Sequence, residues 1–455
     1  MRLRRSTALL SVLTAISLGA GGLSVSMATA TAAPASGVAA VCTPSQAVGV
    51  AHCEAFRLLN PATWVGQHVP NAKSGPNKSG HGHPTSTTTS TTTSTSTTTT
   101  TIATTGISGF YPSDLQSAYN LPSLVTEFTP SSRPTVAIVD AYNDPSAYSD
   151  VSTYRSTFNL PSLTTCSNPI STGSGPCFLQ VNQSGGSSLP HNSTSWSQEI
   201  SLDLDMVSAI CPYCNILLLE ASSATISNLG TAVKTANSMG AVAISNSYGA
   251  SEFSSETSYD SYYNQPGSAV TVSAGDGGYG VDYPAASPSV IAVGGTSLSS
   301  ASNARGWSET VWSNGPSQGT GSGCSTYEPN PGWQPVTSQC STRTVADVSA
   351  VADPYTGVAV YDTYGTSGWL VFGGTSVSSP IIASVIALAG NASTFSAAAL
   401  YGAGGLWPVT KGSNATCGNY LCDATQSLSG SYSGHTLVDF NGPTGNGTPD
   451  GTSSF

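Results

Sequence analysis

From residue 106 onward the chain is built from short apolar runs separated by amphipathic stretches. Residues 135–140 (TVAIVD), 215–220 (NILLLE), 241–245 (AVAIS), 269–273 (AVTVS), 290–293 (VIAV) and 357–361 (GVAVY) are nearly continuous in aliphatic and β-branched side chains. Runs of this length without polar alternation predict strands buried on both faces. The intervening stretches follow a helical period. Residues 196–210 place Leu202, Met206, Val207 and Ile210 on one stripe, the core-facing side of an amphipathic helix. Residues 226–239 predict a second helix, with Gly240 as its C-cap. A third apolar run, residues 381–389, follows Gly373-Gly-Thr-Ser-Val-Ser-Ser-Pro380. Strands alternating with helices predict an α/β fold, a parallel central sheet with helices on both faces. No internal repeat interrupts the pattern.

Upstream, the pattern is different. Residues 84–105 are almost pure Ser and Thr, which cannot build a core and predict an extended linker. Residues 34–83 form a short propeptide-like segment, and residues 106–455 one folded domain. Residues 1–33 read as a signal peptide, with a basic start, an apolar stretch at 9–23 and Ala-rich cleavage sites before Pro34. This predicts a secreted, extracellular protein, since no other run is long enough to span a bilayer.

Composition sharpens that picture. Charged residues are only 8% of the chain, against about a quarter in ordinary domains, and the formal net charge is −11. So few cations exclude nucleic acid and anionic membranes as natural partners. A surface solubilised by Ser, Thr, Gly and Asn suits an acidic medium, although many secreted proteins share it. The ten cysteines fall into five local couples: 42/53, 166/177, 211/214, 324/340 and 417/422. In a secreted chain these predict disulfides. Cys211-Pro-Tyr-Cys214 is also compatible with a redox motif or half a zinc site, but no second C-x-x-C accompanies it.

The candidate chemistry lies in carboxylates and one serine. Glu199 and Asp203 are spaced i, i+4 on the apolar face of their helix, where an acid without a task is rare. Asp205 lies off that stripe and reads as an ordinary solvated charge. Ser376 follows two glycines at a helix start, where backbone N–H groups favour developing negative charge.

Taken with Tyr111-Pro-Ser-Asp-Leu-Gln-Ser-Ala-Tyr119, Ser273-Ala-Gly-Asp-Gly277, Ala292-Val-Gly-Gly-Thr296, Asp347-Val-Ser349 and Gly374-Thr-Ser-x-x-x-Pro380, these residues resemble the sedolisins, the serine-carboxyl peptidases of subtilisin-like fold. The resemblance covers residues 106–455. It implies an endopeptidase in which Ser376 is the nucleophile, Glu199 its general base, Asp203 the hydrogen-bonding orienter of Glu199, and Asp276 an oxyanion residue beside the Ser376 backbone N–H. It implies protein or peptide substrates, a monomer, and no cofactor in the chemistry. A carboxylate base suits acid, because a histidine of pKa about 6.5 is protonated there. Asp276 must hold a proton to donate, so activity is expected to fade toward neutral pH. Tyr248 either borders the substrate strand or simply packs.

Two other readings use the same fold. A Ser-His-Asp subtilase would use Asp140, but neither His191 nor His435 stands in a His-Gly-Thr context. A secreted non-catalytic binding module would be expected to have lost one of the four site residues. The resemblance also implies a structural Ca²⁺ near the C-terminus. There Asn441 stands in place of an acid, Leu437 and Asp439 replace glycines, and Asp423 is out of register, so weak or absent binding is expected. The segment before the domain is much shorter than a sedolisin prodomain, and the mature chain is expected to begin within or after the linker.

Overall fold

The computed structural model describes residues 37–45, 47–68, 106–122, 128–129, 132–170, 175–432 and 434–455. The signal peptide and the Ser/Thr linker lie outside these residues. Five of the six apolar runs form strands of one nine-stranded sheet. Across it run Trp307–Val311, Ile291–Ser300, Ala269–Ser273, Ala243–Asn246, Thr135–Ala141, Asn215–Ala221, Cys177–Asn182 and Thr164–Thr165, with Val348–Val351 also pairing with Ile291–Ser300. Every pairing is parallel except that of the edge strand Trp307–Val311. Thr135–Ala141 and Asn215–Ala221 are buried at every residue, as uninterrupted apolar runs require.

The sixth run departs from expectation. Val358–Asp362 pairs antiparallel with Gly368–Gly373, in a separate small sheet. Its apolar run is matched by burial against helices, which an interior sheet edge satisfies as well as a central position does. Cys177–Asn182, broken by Gln180, was not legible as a strand. In the sheet, the half-buried Gln180 donates to Glu220 Oε1 at 2.8 Å, so a polar pair replaces an apolar contact.

The helix Thr194–Ile210 is buried around its whole circumference rather than along one stripe. Leu202, Met206 and Ile210 join Val377, Ile381 and Val385 of the helix Thr375–Ala389 in one core cluster. Ile200, Leu204 and Val207 join Val136, Ile138, Ile216 and Leu218 of the sheet in another. A helix held between a sheet and a second helix has no solvent face. Asp205 is therefore fully buried, not solvated: its Oδ2 accepts the Tyr361 N–H at 2.9 Å.

The described part of residues 34–83 is woven into the same compact unit, Gly37–Phe455. Val38–Ala40 and Phe56–Leu58 extend the small sheet beyond Gly368–Gly373. His52–Cys53 pairs antiparallel with Tyr248–Ser251. All five cysteine couples are disulfides, Cys211–Cys214 included. No described helix is long and apolar enough to cross a membrane.

Candidate active site

The strand order reverses at Thr135–Ala141: later strands are added on one side up to Asn215–Ala221, then on the other from Ala243–Asn246. In open α/β sheets, crevices form beyond the carboxyl ends of strands at such a switch point. Asp140 is the penultimate residue of Thr135–Ala141, Ser247 follows Ala243–Asn246, and Asp276 lies just beyond Ala269–Ser273. The helices bearing Glu199 and Ser376 complete the site.

Ser376 is the second residue of Thr375–Ala389, whose N-cap is Gly374 at φ 104. A Cβ on Gly374 would lie 2.3 Å from the Glu54 carbonyl oxygen and 2.5 Å from Asp276 Oδ2. Only glycine lets these two oxygens close over the helix start. Pro380 lies inside the helix, so the Ser376 carbonyl lacks its usual N–H donor. The Ser247 hydroxyl reaches that carbonyl at 3.4 Å.

Glu199, Asp203, Asp276 and Ser376 are all buried, and the last three lie close enough to Glu199 to act on its carboxyl. The hydrogen bonds differ in detail from those the resemblance implied. Asp203 is held by the Ser247 hydroxyl at 2.9 and 2.7 Å, and it acts on Glu199 through charge. Ser376 Oγ donates to Ser247 O at 3.2 Å. Neither Glu199 oxygen has a partner at ordinary hydrogen-bond distance, though the Ser376 hydroxyl is near enough to favour the ionised form. Burial first, then the charges of Asp203 and Asp140, push the Glu199 carboxyl well above its usual range. Asp140 is fully buried with both oxygens unpartnered, and burial pushes it up to about 8. It belongs to the site as a third carboxyl of the same cluster. Its signal in the sequence was the acid that ends a buried strand.

Asp276 is fixed by one oxygen and open at the other. Oδ1 accepts the Thr375 N–H at 2.7 Å and the Thr375 hydroxyl at 2.9 Å, while Oδ2 is unpartnered. Burial, followed by the neighbouring Glu54, holds Asp276 well above the carboxylate range. Burial thus favours its neutral, protonated form. The Ser376 N–H donates at 2.9 Å to the Glu54 carbonyl, which lies beside that open oxygen. Glu54 was missed by sequence reasoning, since nothing local marks a residue that only a tertiary contact brings to the site.

Tyr248 is buried, its hydroxyl donates to Asn246 Oδ1 at 2.8 Å, and its backbone borders the site as the strand partner of Cys53. The remaining candidates lie elsewhere. His191 packs its ring 4.6 Å from Tyr142. Asp347 is bound by Arg343 through two contacts of 2.7 and 2.6 Å and accepts the Ala292 N–H, so its motif is structural. The residues of the calcium expectation do not fit a metal centre. Asn441 Oδ1 is taken by Thr444, and its Nδ2 donates to Val409 O at 3.0 Å. Asp423 caps a short turn through Thr425, and Asp439 is bonded to Ser429.

Residues 191–400 match the family model described as the Subtilase family. The chain is 42% identical over 135 residues to sedolisin of Pseudomonas sp. (strain 101), covering 28% of this chain and 22% of that protein. It is 33% identical over 243 residues to kumamolisin of Bacillus sp. (strain MN-32), covering 47% and 43%. These matches span less than half the length of those relatives. Among solved structures, Pseudomonas sedolisin in complex with pseudo-iodotyrostatin superposes with a TM-score of 0.60 at 26% identity, covering 76% of this chain and 96% of that one. The fold is thus the subtilisin-like one, and the family model and these relatives together support a sedolisin-family protein.

Proposed function

We propose that the protein is a secreted serine endopeptidase that cleaves proteins or peptides at acid pH. The observation that carries this reading is the setting of one carbonyl oxygen. It receives the Ser376 N–H at 2.9 Å and lies beside the open oxygen of Asp276, the arrangement an oxyanion needs. Ser376 Oγ attacks the substrate carbonyl carbon, and Glu199 takes the hydroxyl proton. Asp203 and Asp140, whose carboxyls burial also raises, share the cluster's protons with Glu199. Protonated Asp276 and the Ser376 N–H hold the oxyanion. Collapse expels the amine, which takes the proton from Glu199, and water then releases the acyl group by the same steps. The carboxyls titrate as a group, and the Ser376 hydroxyl favours placing the negative charge on Glu199.

Digestion of a denatured protein across pH, by the parent chain and by Ser376→Ala, tests the reading. Cleavage confined to acid and lost in the variant is expected. Equal activity of the two forms, or an optimum above neutral pH, overturns it.

A further inference from the structure

Residues 52–57 cross the candidate active site in the register of a substrate. Before the Glu54–Ala55 bond, Cys53 and His52 pair antiparallel with Tyr248 and Gly249, and the Glu54 N–H donates to Ser247 O at 3.3 Å. At the bond itself, the Glu54 carbonyl takes the Ser376 N–H at 2.9 Å. After it, Phe56 and Arg57 pair antiparallel with Gly373 and Phe372. An extended peptide added as a strand on both sides of a nucleophile presents the bond between the two pairings.

We propose that this segment is a resident occupant of the cleft, that Glu54–Ala55 is the bond it presents to Ser376, and that both ends of that bond stay seated once it is cut. The proposal rests on the peptidase reading of the same site.

Retention follows from how the two ends are held. Phe56–Leu58 lies between Val38–Ala40 and Gly368–Gly373, paired to both. The Ala55 carbonyl accepts the Val41 N–H at 2.9 Å. The Cys42–Cys53 disulfide joins the strand that grips Phe56–Leu58 to the strand that lies on Tyr248–Ser251. The piece ending at Glu54 therefore spans the cleft from both sides and pins the new amino terminus beside the acyl carbon. Ser376 Oγ forms an ester with the Glu54 carbonyl carbon, and the Ala55 nitrogen leaves with the proton from Glu199. That amine, held in place, re-attacks the ester in competition with water and re-forms the peptide bond. An oriented intramolecular nucleophile has a large advantage over water.

The Glu54 side chain is 2% exposed. It lies against Gly249, where a Cβ would come 2.9 Å from Oε1, with His52 Nε2 at 3.3 Å and Asp282 alongside. An acid fits there when neutral, and burial pushes its carboxyl up to about 8.

The test uses the full chain as the parent, as Ser376→Ala, and as two release variants. Cys42→Ser/Cys53→Ser unlinks the two strands. Leu58→Asp places a charge in the small apolar cluster of Val38, Leu58 and Val371 without touching the disulfide. In acid, a constant fraction of parent chains is expected to be cut between Glu54 and Ala55 by N-terminal sequencing, and none in Ser376→Ala. In the release variants the cut should run to completion, and initial hydrolysis of a quenched fluorescent peptide should rise about tenfold. Cutting only at other bonds, or equal initial rates in the parent and both release variants, overturns the proposal and leaves the peptidase reading standing. A binding measurement separates the converse case. Amide exchange at Glu54 and Phe56 should be slow in Ser376→Ala and fast when the release substitutions are added. That pattern with no hydrolysis by any form sinks the peptidase reading and keeps the occupancy. Fast exchange in Ser376→Ala sinks the occupancy.

Discussion

At the scale of single residues, the proposed chemistry turns on where protons sit. Ser376→Ala, Glu199→Gln and Asp203→Asn should each lower kcat about a thousandfold or more, and a double variant should lose little beyond a single one, because the residues act as a unit. Kinetics of the three singles and one pair against a fluorescent peptide decide this. Additive losses would show that the groups act independently. Asp276→Asn makes a more specific test. Asp276 donates only while protonated, so its contribution is present below its raised pKa and lost as pH climbs through it. An asparagine that keeps the Thr375 contacts through Oδ1 offers a permanent N–H where Oδ2 stands. The alkaline limb of the kcat/KM profile should therefore move to higher pH in Asp276→Asn. An unmoved limb would assign that limb to another carboxyl.

At the scale of elements, buried polar ties hold the strands and turns that frame the site. Arg343 and Asp347 are both fully buried, and the pair connects Thr342–Val345 to the start of Val348–Val351. The Tyr401 hydroxyl also donates to Asp347 at 2.8 Å. Arg343→Leu leaves that carboxylate without its charge partner and should cost about 3–5 kcal/mol. Urea unfolding checks the figure, and a loss below about 1 kcal/mol would contradict it. The Asn441–Thr444 turn is already closed by its own hydrogen bonds. EDTA and millimolar Ca²⁺ should therefore leave the thermal midpoint unchanged. A shift of many degrees would show that the turn rearranges into a cation site.

At the scale of the whole molecule, the scarcity of surface charge is paired with an excess of buried acid. Burial is the leading cause that pushes Asp140, Glu220 and Glu54 up to about 8 and Asp144 and Asp282 up to about 7. Each of these groups is easier to bury neutral than charged. A raised folded pKa contributes stability that is complete below the unfolded value of about 4 and is lost as pH rises through the folded one. Stability should therefore be greatest near pH 4 and fall steadily toward pH 8, against the usual trend of acid denaturation. Thermal unfolding of Ser376→Ala across that range measures it without self-digestion. A midpoint that rises toward neutrality would contradict the buried-acid account.

The central strands and the two site helices were legible because apolar runs and helical periods are local properties of the chain. Ser376 and Asp276 were legible in short motifs at the ends of elements, and Glu199 and Asp203 in their i, i+4 spacing within a helix. Asp205 was misread for a physical reason: a hydrophobic stripe reveals one buried face, and only the second layer of packing covers the other. The strand at Val358–Asp362 reads like a central one but pairs elsewhere, because pairing partners are chosen by the whole sheet. Glu54 lies more than three hundred residues from Ser376 in sequence, with no motif to announce it. The sequence alone pointed to the fold class, to cysteines lying in local couples and to the candidate chemistry, through patterns of neighbouring residues. Tertiary structure alone decided which acids lose their water and what lies across the nucleophile, because burial and long-range strand pairing arise only when distant segments meet.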